Sequence, residues 1–478
     1  MKTLSILSVL LCAACLEAAA QGTTLRFAGK VTDMSGKGIP GVVVNDGRHF
    51  VKTDRQGSWS LETDTVVSKF VCISTPANYR LPQREGLSDG FYVSVGKLAA
   101  AKGQHDFVLE KRKETSDDFY YIAVSDPQVR NAREMKRWRQ ETVPDLKETI
   151  DSLKQQREVV GMTLGDLVFD NMTLYDEYKV SLKNTGATFF QCIGNHDFDL
   201  RYQDLHNMAA GTPVYGEMMY NRYFGPTDYS FNIGKAHIVT MKNLNYVGGT
   251  KYIECMTGDQ IAWLKKDLSY VPKGSLVILN MHAAAWNRVA NGGNVRNAAE
   301  LKDALKDYNV HVFCGHTHFC QNNEVAPNLY EHNIGAACGA WWAGWVNQCG
   351  APNGYMVVDV DGNELKWHYK ATRRDFSYQF RLYGKGDFLT QSSFVVANIW
   401  DWDSACRVVW YQDGQLMGDM EQFTDADETI AAMKKKRSDA VKTAHLFRAM
   451  PSDKAREVKV EFTNRFGEVY VQTIRLKD

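Results

Sequence analysis

The chain has 478 residues, of which 44% are hydrophobic and 23% charged, a composition typical of globular rather than disordered proteins. This length exceeds what one ordinary hydrophobic core supports, so we expect about two to four domains. Lysine plus arginine equals aspartate plus glutamate at 56 each, which gives no reason to expect a nucleic-acid partner or an anionic membrane. Attraction for an anion therefore has to come from a local site.

Residues 1–20 are predicted to be a secretory signal. Lys2 precedes an apolar run over 4–11, and small residues end at Ala20 before Gln21. That run is too short to span a bilayer and no later run is long enough to do so, so no transmembrane segment is predicted. We expect export to the periplasm or the extracellular space, with lipid anchoring through Cys15 as the alternative.

Residues 21–112 predict a small antiparallel β-sandwich, because short strands alternate with dense turn signals such as Asn45-Asp46-Gly47. The pattern resembles regulatory-like domains at the front of exported bacterial proteins. It carries no cluster of catalytic residue types, so we expect a packing or spacing role.

Residues 113–372 predict an α/β domain, since apolar strand runs alternate with helical stretches. A capping box at Thr257 and Gln260 opens one of these helices. Residues 373–478 return to strands, with a tight hairpin at Asp413-Gly414 and a helix near 425–438, and predict a second small β-rich domain.

Five short segments of the α/β domain place metal-ligand residue types at the ends of apolar strands. Because ligands bind outside the carboxyl ends of strands in such sheets, all five are expected to converge. A single histidine at a strand end would more often be a hydrogen-bonded core residue, but five segments in order point to a site. The segments are Ser125-Asp126-Pro127-Gln128, Gly165-Asp166, Gly194-Asn195-His196-Asp197, Met281-His282 and Gly315-His316-Thr317-His318.

The set resembles the calcineurin-like metallophosphoesterase superfamily, whose blocks read D-x-H, G-D, G-N-H-D/E, H and G-H-x-H. The resemblance implies a four-layer α/β/β/α sandwich core, here flanked by two small β-sandwich domains. The segments at 398–403 and 445–449 extend the likeness to C-terminal modules of exported members.

The resemblance also implies two divalent metal ions and assigns their ligands. One ion would be held by Asp126, Gln128, Asp166 and His318, and the other by Asp166, Asn195, His282 and His316. A carboxylate such as Asp166 can bridge two cations, and such a pair clamps the attacking and leaving oxygens of an in-line displacement.

The implied activity is hydrolysis of phosphate mono- or diesters by a metal-bound hydroxide. His196 would be the general acid that protonates the leaving oxygen. Asp197 is expected to orient His196, with a structural role as a cap or turn residue equally open.

Gln128 stands where the commoner motif has histidine. Its amide oxygen is a harder and weaker ligand than imidazole, so we expect Mn²⁺, Mg²⁺ or Fe²⁺ to be preferred over Zn²⁺. The other interpretation is a degenerate centre in a non-catalytic exported binding protein. Because every other ligand is intact, activity is favoured.

The substrate is expected to be a phosphorylated small molecule, lipid or glycan. Candidate contacts are Arg130 and Arg288, which follow metal segments, and Trp341 and Trp342, which follow the last one. Packing of these tryptophans against a flanking domain is the alternative. Export permits disulfides, and Cys338 with Cys349 is one conceivable pair that the sequence does not establish.

Overall fold

The structure is a computed structural model that describes residues 24–183, 185–199, 214–248, 251–286 and 294–476. The predicted signal over residues 1–20, including Cys15, lies outside the described residues. The chain divides into two compact units. One comprises the residues up to Thr75 together with Gly90–Lys111, and the other comprises Pro76–Asp89 and Arg112–Asp478. In the described residues no helix combines the length and apolarity that crossing a membrane requires.

The first unit is β-rich, as predicted. The strand Ser58–Asp64 alternates buried and more exposed positions, and the core of the unit includes Phe27, Val44 and Trp59. One sheet contains Ser58–Asp64, Thr24–Asp33 and Phe107–Leu109, and the other contains Phe50–Lys52, Val43–Asn45, Phe70–Ser74 and Tyr92–Ser94, followed by the helix Val95–Ala100. The pairing of Val31 with Phe107 is parallel rather than antiparallel.

The second unit is built on two large mixed sheets that hold the predicted α/β strands. We label five of them β1 (Asp118–Val124), β2 (Val159–Leu164), β3 (Thr188–Cys192), β4 (Leu276–Asn280) and β5 (Asn309–Cys314). The seven-stranded sheet has the order Glu364–Ala371, Gly354–Asp361, β1, β2, β3, Leu87–Ser88, Gln83–Arg84, and the six-stranded sheet has the order Tyr229–Ile233, Ala236–Thr240, β4, β5, Leu329–Asn333, Gln321–Ala326. Strands β1 to β3 are mutually parallel, and so are β4 and β5.

The two sheets pack face to face. The Tyr121 hydroxyl on β1 donates to Asn280 Oδ1 on β4 at 2.5 Å, and the Tyr121 and Phe313 ring centroids are 5.4 Å apart. Helices cover each sheet: Tyr178 donates to Thr163 on β2, and Ser230 on the second sheet donates to Asp267. Every residue of β2 and β4 is buried because both faces of each sheet are covered. The result is the four-layer α/β/β/α core.

The helices of this core follow the predicted alternation, and the capping box of Thr257 and Gln260 is formed. The α-helices are Ala132–Arg137, Val143–Leu153, Tyr175–Lys183, Val214–Phe224, Gly258–Leu268 and Ala298–Leu305, with a π-helix at Trp138–Thr142, 3₁₀ turns at Met172–Leu174 and Asn195–Asp197, and a hairpin of Leu244–Gly248 with Lys251–Glu254.

The C-terminal region forms two further four-stranded sheets. The turn of its hairpin lies at Asp413 and Gly414, and both residues have positive φ, as the dipeptide predicts. The helix expected over 425–438 is shorter in the structure, where the α-helix spans Glu428–Ala432. The sheets are Phe380–Tyr383, Val395–Ile399, Lys442–Ala449, Glu421–Ala426, and Gln415–Asp419, Arg407–Gln412, Glu457–Thr463, Val469–Arg475; the helical segments are Leu389–Gln391, Glu428–Ala432 and Arg437–Asp439.

Candidate metal centre

The carboxyl ends of β1 to β5 bring the predicted ligands together. Asp126 follows β1, Asp166 follows β2 and Asn195 follows β3, whereas His282 and the segment 316–318 follow β4 and β5. One ligand atom each from Asp166, His282 and His316 lies within 4.8 Å of the others. The strand-end pattern therefore corresponds to one compact polar centre.

The first part of this centre, which we call the His282 half, consists of Asp166, Asn195, His282 and His316. His282 Nε2 lies 3.1 Å from Asn195 Oδ1, 3.2 Å from His316 Nδ1 and 3.3 Å from Asp166 Oδ2. His282 Nδ1 donates to the Leu164 carbonyl at 2.7 Å, which directs Nε2 toward the other three side chains. These four side chains thus aim two oxygens and two ring nitrogens at one point.

The second part, the Gln128 half, consists of Asp126, Gln128, His318 and the shared Asp166. Asp126 Oδ1 is buried, has no hydrogen-bond partner among the described residues and lies 3.5 Å from His318 Nε2. His318 Nδ1 donates to the Gly339 carbonyl at 2.6 Å, which leaves Nε2 as the inward atom. Gln128 Nε2 donates to Asp166 Oδ2 at 2.8 Å.

Divalent ions fit both halves. A buried carboxylate oxygen without a partner is costly unless a cation satisfies it, and Asp126 Oδ1 is such an atom. The backbone bonds of His282 and His318 set the ring orientation that a metal ligand requires. Gln128 would present its carbonyl oxygen after a half-turn of the terminal amide, which exchanges its oxygen and nitrogen.

The backbone around the centre is strained in a consistent way. Five of the seven predicted ligands adopt left-handed φ values between 46° and 68°, which non-glycine residues rarely do: Asp126, Gln128, Asp166, His316 and His318. Glycine is required beside them. A Cβ on Gly194 would lie 2.2 Å from Asp166 Oδ1, and one on Gly315 would lie 2.4 Å from Asp126 Oδ2. The packing that holds this strain also fixes the ligand positions.

Electrostatics within the centre favour bound positive charge. Burial alone would lower the pKa of His282, but the carboxylates of Asp166 and Asp126 raise it to about 9. Burial opposes ionisation of Asp166 as well, yet the neighbouring histidines hold the pKa of Asp166 well below its usual value.

His316 is positioned by two residues that the sequence pattern did not identify. Its Nε2 lies 3.3 Å from both Tyr252 Oη and Glu254 Oε1, which leaves Nδ1 facing His282. Both residues lie on the strand Lys251–Glu254, in a hairpin with no ligand motif. The sequence pattern also did not identify Cys338 as a neighbour of the centre. Its thiol donates to Gln128 Oε1 at 3.6 Å.

His196 stands beside the ligands with Asp170 as its partner. Its Nδ1 lies 2.9 Å from Asp170 Oδ1, and its ring stacks on Phe169 with centroids 3.7 Å apart. About a quarter of the His196 side chain is exposed. A carboxylate on Nδ1 leaves Nε2 available to a substrate.

The prediction that Asp197 orients His196 is wrong. Asp197 is fully buried, and its carboxylate accepts from the backbone N–H groups of Leu167 and Gly194 and from the Tyr175 hydroxyl. Burial and the charge of Asp166 raise the pKa of Asp197 to about 7. The structural interpretation of Asp197, as a turn residue, is the one the geometry supports: it ties the loop after β2 to the loop after β3.

The predicted substrate contacts have different environments. Arg130 is paired with Glu134 and is half exposed, so its phosphate contact stays a prediction. Trp341 is 39% exposed, and its ring centroid lies 4.8 Å from that of His318. Trp342 is buried and donates to the Pro127 carbonyl at 3.0 Å, so it supports the loop of the Gln128 half rather than a substrate wall. Arg288 lies outside the described residues.

The cysteine pair considered from sequence is not the one the fold brings together. Cys338 lies against Gln128 and His318, whereas the backbone N–H of Cys320 donates to Cys349 Sγ at 3.3 Å. Neither Cys338 nor Cys349 is in a disulfide.

Comparison with known protein families gives matches along most of the chain. The sequence matches three consecutive families: the N terminal of Calcineurin-like phosphoesterase over residues 25–112, Calcineurin-like phosphoesterase over 119–320, and the C terminal of Calcineurin-like phosphoesterase over 331–470. No curated protein sequence matches the chain.

Solved structures with a similar fold include a dimetal phosphatase from Danio rerio (11% identity, TM-score 0.36, covering 53% of this chain and 96% of that one). A 5′-nucleotidase from Candida albicans has 12% identity and a TM-score of 0.34, covering 54% of this chain and 52% of that one. A metallophosphoesterase from Sphaerobacter thermophilus has 14% identity and a TM-score of 0.25, covering 53% and 89%. The three sequence matches show that the chain belongs to the calcineurin-like metallophosphoesterase superfamily.

Proposed function

We propose that this protein is an exported, two-metal phosphoesterase that hydrolyses phosphate mono- or diesters of a small molecule, lipid or glycan. Family membership supports metal-dependent phosphoester hydrolysis in general. The observation that carries the specific proposal is the meeting of two ligand sets at one shared carboxylate. Asp166 Oδ2 lies 3.3 Å from His282 Nε2 and 2.8 Å from Gln128 Nε2, so it belongs to both halves.

The chain's own residues have separable roles in this proposal. Asp126, Gln128 and His318 would hold one cation, Asn195, His282 and His316 the other, and Asp166 would bridge them. When bound, the two cations would supply Lewis-acid stabilisation of the phosphate and an activated water. The buried carboxylates and histidines keep these positions dry and rigid, which strengthens every electrostatic interaction with the phosphate.

His196 would deliver the proton that the leaving oxygen needs. Asp170 holds its Nδ1, so the imidazole keeps one orientation, and stacking on Phe169 restricts rotation of the ring. The partial exposure of the side chain gives a substrate access to Nε2. These features support His196 as general acid and Asp170 as the residue that positions it.

Metal preference follows from the donors of the Gln128 half. This half offers carboxylate and amide oxygens with one imidazole, a set suited to Mn²⁺, Mg²⁺ or Fe²⁺. The His282 half offers two imidazoles and accepts a wider range of ions. We therefore propose that the Gln128 half disfavours Zn²⁺.

The test is hydrolysis of a phosphoester panel by the full-length protein after metal stripping and re-addition of Mn²⁺. The panel contains 4-nitrophenyl phosphate, bis-4-nitrophenyl phosphate, a nucleotide, a sugar phosphate and a phospholipid. Turnover that needs added metal and disappears in Asp166→Asn supports the proposal. Bound metal without turnover of any member would favour the alternative, a non-catalytic binding protein with a degenerate centre.

A further inference from the structure

A cavity that none of the proposed metal ligands lines lies where the loop after the last metal segment meets the start of the C-terminal region. Its volume is about 360 Å³, within the range of small-molecule sites. All its lining residues belong to the second compact unit. The wall is formed by Trp345, Pro352, Asn353, Thr372, Arg373, Arg374, Tyr378 and Arg381.

The charge of this wall is strongly one-sided. Three arginines line the cavity and no acidic residue does. Within the described residues, the Arg373 and Arg374 guanidinium groups have no carboxylate partner. Asp145, which accepts the backbone N–H of Arg373, is paired with the Lys370 amine at 2.9 Å. The cavity therefore carries positive charge that the protein itself leaves unbalanced.

The third arginine is fixed in place. Arg381 donates to the Thr429 hydroxyl at 2.7 Å and to the Tyr383 hydroxyl at 3.2 Å, and Asp427 lies 4.0 Å away. That aspartate is shared with Tyr383 and Asn398, which both donate to it at 2.8 Å. Arg381 is thus a pre-oriented cation at the inner wall.

Two buried polar side chains of the wall lack partners. Asn353 and Thr372 are 2% and 7% exposed, and each has a side-chain oxygen with no hydrogen bond to the described residues. Such groups are costly unless a ligand or water satisfies them. In addition, Arg373 has a left-handed φ of 61°, a strain typical of functional positions.

The remaining wall is aromatic. Trp345 and Tyr378 line the cavity, and about half of the Trp345 surface is exposed. The Arg374 guanidinium lies 5.3 Å from the Tyr378 ring centroid. A flat ring or sugar face can pack on such side chains while an attached anion meets the arginines.

We propose that this cavity is a second binding site, separate from the metal centre, for a small organic anion that joins a ring to a phosphate, sulfate or carboxylate group. The arginines take the oxyanion, Trp345 and Tyr378 contact the ring, and Asn353 or Thr372 meets a hydroxyl or amine of the ligand. The proposal does not depend on catalysis at the metal centre.

The test is calorimetric titration of the full-length, metal-loaded protein with phenylphosphonate, benzenesulfonate and benzoate, and with benzylamine as the cationic control. None of these probes is a phosphate ester, so none is a substrate of the metal centre. We expect at least one anion to bind and benzylamine not to bind. Arg374→Glu should weaken anion binding about tenfold or more, because a charged hydrogen-bond partner is lost and a repulsive charge gained.

Controls separate this site from the metal centre. Arg475→Ala removes an exposed arginine of the strand Val469–Arg475 and should leave the affinity unchanged. Hydrolysis of 4-nitrophenyl phosphate should be the same in Arg374→Glu as in the wild type. Equal anion affinity in Arg374→Glu and the wild type, or binding that Asp166→Asn abolishes, overturns the proposal.

Discussion

The two halves of the metal centre share Asp166 but differ in how completely the protein prepares them. In the His282 half, the other three ligand side chains each place an atom 3.1 to 3.3 Å from His282 Nε2. In the Gln128 half, Asp126 Oδ1 has no hydrogen-bond partner in the described part of the chain and lies 3.5 Å from His318 Nε2, and the Gln128 amide nitrogen contacts the shared carboxylate. The difference indicates a strong site beside a weaker, more selective one. We therefore propose that this single glutamine changes the metal preference without removing the site.

The largest effect is expected where the halves meet. Asp166→Asn keeps the shape of the side chain but removes the charge that both cations would share. We expect loss of both metals and a fall in phosphoester turnover of about a thousandfold or more. Metal content and turnover are measured on the same preparation. Asp359→Asn, an aspartate on the strand Gly354–Asp361, is the matched control and should retain both. Full turnover in Asp166→Asn would contradict the proposal that both halves depend on this shared carboxylate.

Substitution of His196 tests the chemical step separately from metal binding. His196→Ala should retain both metals and lower turnover of an alkyl phosphate about 10²- to 10⁴-fold, because a poor leaving group needs protonation. With 4-nitrophenyl phosphate the loss should be much smaller, since 4-nitrophenolate leaves without a proton. Asp170→Asn should show the same dependence on the leaving group, with smaller losses of turnover. Equal losses on both substrates would contradict the general-acid role.

The Gln128 half can be converted toward the commoner motif. Gln128→His supplies an imidazole in place of an amide oxygen, so we expect Zn²⁺ to support turnover better relative to Mn²⁺ than in the wild type. The ratio of Zn²⁺- to Mn²⁺-supported turnover after metal stripping is the measurement. A wild-type protein that already turns over fastest with Zn²⁺ would refute the preference inferred from Gln128.

Supporting residues should give the smallest effects, each confined to one half. Glu254→Gln weakens the contact that directs His316, and we expect metal affinity of the His282 half to fall about 10- to 100-fold. Cys338→Ser replaces the thiol against Gln128 and should alter only the Gln128 half. Metal titration that resolves the two sites distinguishes these results. Identical behaviour of the two variants would show that the halves are not independent.

The sequence predicted which side chains meet at the candidate centre because their signal is local. Each ligand follows an apolar strand directly, and glycines such as Gly194 and Gly315 mark the points where the backbone passes close to a carboxylate. The same reasoning predicted the α/β core and the β-rich ends. These signals need no knowledge of tertiary contacts.

Partners distant in sequence could not be predicted in this way. Asp197 adjoins His196, but consecutive residues of the 3₁₀ turn Asn195–Asp197 point in different directions, so the contact falls to Asp170. Glu254 reaches His316 only because a separate hairpin lies over the centre. Trp341 and Trp342 are neighbours of one residue type, yet one is exposed and the other buried, a difference that loop geometry alone determines.

Metal stoichiometry of single-ligand variants tests the central claim most directly. The wild-type protein, His318→Ala and His282→Ala are stripped, reloaded with Mn²⁺, desalted and measured for metal per chain. We predict two ions per chain in the wild type and one in His318→Ala, which keeps the His282 half intact. His282→Ala should retain less than one ion per chain, because only the weaker Gln128 half remains. Equal metal content in all three proteins, or none in the wild type, would contradict a two-metal centre with unequal halves.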